Sequence, residues 1–347
     1  MRPPLFVVAL ASLVLGLTGG LARMGWLGSA GAARIGSAHG ALMSLGFFST
    51  VIGLETAVKN ERLGRWVYAL PALSAAAAFG ALISASASAV LGLAASVVFV
   101  VIGVRASKGW ITVAAASCWV AAGVSFLASQ RIATAVPTWT AFLVLVILDE
   151  RVDPIALRAP RSARSWTLRL AVACLVLSSA AVTWFPDLGA RSRGLALVAL
   201  AAWFFRHDVA SARPDWRGLA GYETVAMVSA YFWLASSGLI LVGFGFAEVG
   251  PTYDAAAHAV FLGMAFSMIF AHAPRVFPKL TGVPFAYAPD LYVPLALLHG
   301  GLAVRVFGDL LGSAEARSAG GLVSVVGIAL FPAMMAMRRL RTAVSHG

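Results

Sequence analysis

The feature that most constrains this chain is a near-unbroken succession of apolar runs from residue 5 to residue 337. A membrane-crossing helix needs about 20 consecutive apolar residues. On that rule the sequence predicts twelve spans, at 5–22, 37–58, 66–86, 88–104, 110–128, 133–149, 166–185, 194–206, 222–246, 255–273, 291–311 and 319–337. The third and fourth are split only by SASAS, and the eighth is short. Charged residues are 12% of the chain and the mean hydropathy is +0.88. Soluble domains carry about 25% charged residues, so the bilayer is the solvent to reason with. The first run follows MRPP and is shaped like a signal peptide, but the eleven spans after it argue for a retained helix. No connecting stretch is long enough for a soluble domain. Residues 1–347 are therefore expected to form a single all-α integral membrane domain.

Orientation follows from the Lys and Arg residues. With the N-terminus in the cytoplasm, eighteen of them fall in inner segments and six in outer ones, with Arg169 and Arg305 inside spans. The bias predicts both termini inside and an even number of helices; the expected location is a bacterial-type inner (plasma) membrane. The net charge of +12 follows the same loop pattern and implies no nucleic-acid partner. Cys118 and Cys174 lie in apolar runs and form no disulfide or zinc pattern. The tryptophans at 66, 110, 139 and 166 fall near span ends, as interfacial anchors do. DERVD at 149–153 reads as a solvated helix end, and glycines within spans as sites of close helix packing. No nucleophile triad, phosphate loop or zinc motif is present, so no catalytic residue is assigned.

Six histidines remain. His207 follows a span end and His346 is in the tail; both read as solvated. The other four lie in or at the edges of spans, where a polar side chain is a functional hypothesis by default. His39 opens the second span and His258 the tenth, both on the outer side, so the two imidazoles share a depth. Two imidazoles at one depth can hold a haem iron from both sides. The small neighbours in AHGA and AAAHA leave room for a flat macrocycle. The plainer reading is two unrelated histidines bonded to carbonyls or water at headgroup level, and spacing and depth leave both open.

The residues themselves carry a resemblance. AHGALM at 38–43 is similar to the second-helix motif of the haem–copper oxidase main subunit, where this histidine is an axial ligand of the low-spin haem. PTYDAAAHAVFLGMAFSMIFAHAPRVFPKLTG resembles that family's tenth helix. Anchored on Phe277-Pro278, it places His258 on the other low-spin ligand. Twelve helices with both termini inside agree with that bundle. The resemblance implies one haem b with His39 and His258 as axial ligands to the iron. It also shows departures. Ala256 stands where the high-spin ligand would be, and the spans at 133–149 and 166–185 lack the histidines of a copper site. HAVFLGMAFSMI is also similar to the NnrS family of twelve-helix haem proteins linked to nitrosative stress. The expected function is electron transfer or nitric-oxide handling, without an oxygen-reducing copper centre. The expected partners are the lipid bilayer and another redox protein or a quinol.

A second, inner site is weighed from His272, His299 and Glu55. His258 and His272 are 14 residues apart, about 21 Å and within about 40° on one helix. The inner group would suit a second haem, a metal or a proton-linked quinone; the favoured reading is a capping His272 and a bonded, buried His299. Arg275 and Lys279 read as lipid or topology contacts. The competing functions are a twelve-helix secondary transporter and a structural subunit of a larger membrane complex.

Overall fold

A computed structural model describes residues 2–158, 160–163, 165–209, 216–281 and 287–344. His346 and the side chains of Phe277, Pro278 and Lys279 lie outside the described residues. The described chain is helical. Ten helices are long and apolar enough to cross a membrane, beginning with Pro4–Arg23 and ending with Ala314–Met335. The protein is a multi-pass membrane protein. Its outward-facing side chains agree: Val7, Leu177, Leu195, Leu239 and Phe307 are all exposed, which suits hydrocarbon and not water.

Two expected spans are shorter helices. The stretch at 66–86 forms a single-turn 3-10 segment, Arg65–Tyr68, running into Ala69–Gly80. Together they rise about 26 Å. The stretch at 166–185 forms Trp166–Ala181, 16 residues, about 24 Å long. A hydrocarbon core is about 30 Å thick.

The helices gather into two compact units. One is Met1–Glu150 with Val176–Gly189; the other is Arg151–Leu175 with Ala190–Gly347. In the first, Arg2–Arg23 packs on the helix that carries His39 (His39–Lys59), which packs in turn on Ala69–Gly80. Its aromatic core joins Phe48, Phe99, Trp119, Trp139 and Phe142, with Trp119 and Phe142 centroids 4.5 Å apart. Trp139 is therefore a core residue, 2% exposed, and not an interfacial anchor; Trp66, Trp110 and Trp166 are exposed as expected. In the second unit, Gly218–Phe244 packs on the helix that carries His258 (Pro251–Val276), and Tyr292–Leu311 pairs with Ala314–Val344. The His258 helix starts sharply because Gly250 takes φ +97° and Pro251 occupies the first turn. Glycine tolerates that angle, and proline needs no hydrogen-bond partner for its nitrogen there.

The two histidine helices stand apart from the rest. They are the most buried of the ten spans, 72% and 78% against 28–56% for the others. Each also contains an eight-residue π-helical segment, Leu42–Ser49 and Ala259–Phe266, beginning within a turn of its histidine; a shorter, five-residue π segment, Phe205–Val209, carries His207. π-helix makes up well under 1% of residues and is frequent at functional sites.

Candidate functional site

His39 sits where the short helix Ala30–Ser37 gives way to the His39 helix. Its Nδ1 lies 2.7 Å from the carbonyl oxygen of Gly16 in the first helix. Glycines make that approach available. A Cβ on Gly19 would lie 3.3 Å from the Cβ of His39, and one on Gly20 would lie 3.1 Å from its Cε1. Side chains there would push the imidazole off the first helix. A carbonyl can only accept, so Nδ1 carries a proton, and in the neutral ring the lone pair is on Nε2.

His258 is held by the same logic on its own helix. Its Nδ1 is 2.9 Å from the carbonyl oxygen of Asp254 and 3.2 Å from the Asp254 Oδ1. Asp254 is fixed in turn by Arg305, whose Nε and Nη2 donate to its two oxygens at 2.9 and 3.0 Å. This again leaves the lone pair on Nε2. Histidines that ligate metals characteristically donate their other ring N–H to a carbonyl or carboxylate, which fixes the tautomer and ring orientation. Both imidazoles therefore fit the role of axial haem ligand.

The other two intramembrane histidines do not. His299 accepts from Trp233 Nε1 through Nδ1 at 2.9 Å. Indole is a donor only, so the proton of His299 is on Nε2, 3.3 Å from Ser267 Oγ. Ser267 passes its hydroxyl hydrogen to the Gly263 carbonyl in the π segment. Both ring nitrogens are thus used in a buried structural chain. His272 donates from Nδ1 to the Met268 carbonyl at 2.7 Å, but its Nε2 faces Arg151 Nη1 at 3.5 Å. A guanidinium beside the lone pair repels a metal cation. Glu55 pairs with Lys59 at 3.0 Å and is half exposed. Among the described residues no group of three His, Cys, Asp or Glu could hold a metal.

Several residues of consequence were not legible beforehand. DERVD is not a solvated helix end, because its helix runs unbroken through Ile132–Arg158. Asp149 accepts from Thr112 at 2.9 Å, and Glu150 pairs with Lys59 at 2.6 Å. Arg151 makes a two-pronged bond to Asp208, 2.7 Å on each arm. Asp208 is fully buried and also accepts from Tyr231 at 2.6 Å. The signal was a carboxylate just past the end of an apolar run, Asp208, one residue after His207. His207 itself is half-buried beside the Trp203 ring, 5.2 Å away, and not simply solvated.

The fold and these side chains define a class: an all-helical, multi-pass membrane protein with two buried histidine helices and buried ion pairs. The chain belongs to the family described as Domain of unknown function (DUF8744), which it matches over residues 2–340. No curated protein matches it.

Proposed function

We propose that this chain is a membrane-embedded b-type haem protein in which His39 and His258 bind one haem iron from its two sides. The observation that carries the reading is the parallel between the two most buried spans. Each sets its histidine within a turn of an eight-residue π segment and locks Nδ1 on a backbone carbonyl. When bound, the haem supplies one-electron transfer, and nitric-oxide handling where one imidazole is released. The chain's own part is to present two neutral imidazoles through Nε2 and to hold them in that tautomer. The bundle is of twelve crossings, like that of the haem–copper oxidases, in a bacterial-type inner membrane with both termini in the cytoplasm. It does not reduce oxygen by itself, because Ala256 and the histidine-free helices Ile132–Arg158 and Trp166–Ala181 supply no copper or high-spin ligands.

One observation favours a second reading. Arg151–Asp208 and Arg305–Asp254 are ion pairs within membrane-type helices, and such charges also mark ion and proton pathways in transporters. Colour separates the two. Protein purified from haem-replete cells should show the sharp reduced bands of a low-spin b-type cytochrome. His39→Ala and His258→Ala should each lose the haem or open it to carbon monoxide. His272→Ala and His299→Ala should leave the bands in place. A folded but colourless protein overturns the haem reading in favour of the transporter.

A further inference from the structure

Asp309 lies one turn beyond Arg305 on the helix Tyr292–Leu311, so the two side chains share a face. Its side chain has no exposure to solvent, and neither carboxylate oxygen has a hydrogen-bond partner. Arg305 is 8% exposed, and its guanidinium is engaged in the two-pronged bond to Asp254. The remaining cation is Arg317 at the start of the next helix. Its Nη1 is 3.9 Å from Asp309 Oδ1, beyond hydrogen-bond reach, and its side chain is 35% exposed. Glu315, nearby on the same helix, is exposed and accepts from Ser313.

The two helices close tightly around this position. A Cβ on Gly308 would lie 2.4 Å from the Arg317 nitrogen, and one on Gly320 would lie 2.4 Å from the Arg305 nitrogen. Backbone against backbone seals Asp309 between the two helices, with the Asp254 carboxylate and the Arg305 guanidinium beside it. An ionised carboxylate without water or donors costs several kcal/mol. A neutral acid avoids that cost. In the cluster Asp254 then offsets Arg305, and Arg317 keeps about a third of its side chain exposed.

We propose that Asp309 is a proton-binding site, a carboxyl held as the neutral acid in the folded protein at neutral pH and able to exchange that proton. Its ionisation would place one negative charge beside the Asp254–Arg305 pair, with His258 on the far side of Asp254 and the partly exposed Arg317 3.9 Å away. The ligand is a proton, and the site is the kind that couples proton movement to another event in a membrane. The proposal does not depend on the haem reading.

The test uses the full-length chain in detergent or bilayers. Infrared spectra of parent and Asp309→Asn are compared at neutral pH in H2O and D2O. The parent should show a protonated-carboxyl carbonyl band that moves down in D2O, fades as pH rises, and is missing from the variant. Identical spectra in that region overturn the proposal. Asparagine also replaces a neutral acid at nearly constant shape, so Asp309→Asn should melt within about 3 °C of the parent, the shift expected of about 1 kcal/mol in a chain of this size. A larger loss, or failure to fold, shows that the charge of Asp309 is needed and overturns the proposal as well.

Discussion

At the scale of single residues, burial separates the charges that matter from those that do not. Lys59 sits between Glu55 and Glu150 near the surface, and exposed pairs of that kind contribute about 0–1 kcal/mol. Asp208 is different. It is fully buried and accepts from both arms of Arg151 and from Tyr231. Removing one partner strands the other charge, so Asp208→Ala should cost about 3–5 kcal/mol. Tyr231→Phe removes one hydrogen bond and leaves the ion pair, and should cost about 1 kcal/mol. Denaturant unfolding in detergent measures both. Equal, small losses in the two variants would mean that the pair is wet and not buried.

At the scale of elements, close helix approach rests on particular glycines. Gly263 lies in the π segment after His258, where a Cβ would be 2.3 Å from the Cβ of Trp233. Gly263→Ala therefore forces apart two helices and disturbs the Trp233–His299–Ser267 chain, at about 1–3 kcal/mol. Gly300 is also helical, but nothing lies within 4 Å of a Cβ there. Gly300→Ala should be neutral or stabilise by up to about 1 kcal/mol. Comparing the two melting temperatures isolates packing from helix propensity, and equal shifts would refute the packing account. Helix ends have their own chemistry. Arg34 donates to the Leu82 carbonyl and Arg191 to the Val242 carbonyl. Both were counted as outer-loop charges, yet both satisfy helix C-terminal carbonyls that have no partner within their own helix.

At the scale of the whole molecule, the two short helices decide the topology. If Ala69–Gly80 and Trp166–Ala181 cross with the ten long helices, the loop 106–109 is cytoplasmic. If neither crosses, every segment between them is inverted and that loop is outside. Arg105 precedes it and Lys108 lies within it, and basic residues stay inside. A reporter inserted in 106–109 should therefore be cytoplasmic, as should one fused after Gly347, while one in 245–250 should be outside. An external 106–109 would establish ten crossings. Setting aside the half-buried Arg151 and the buried Arg193 removes one residue from each side of the charge count and leaves its direction unchanged.

What the sequence determined by itself was the solvent and the material of the fold. Runs of apolar residues near bilayer length are satisfied in lipid by helices, and ten of the twelve runs lie on helices long enough to cross. His39 and His258 were also legible, because an imidazole in an apolar run stands out in one dimension. Tertiary structure decided the partners. Asp149, Glu150 and Arg151 are consecutive, yet they bond to Thr112, Lys59 and Asp208, on three different helices. His299 and His258 look alike in sequence, and only the Trp233 indole against one and the Asp254 carbonyl against the other set which nitrogen keeps its lone pair. A hydrogen bond depends on distances of a few tenths of an ångström between segments far apart in the chain, and hydropathy, an average over some twenty neighbours, does not contain them.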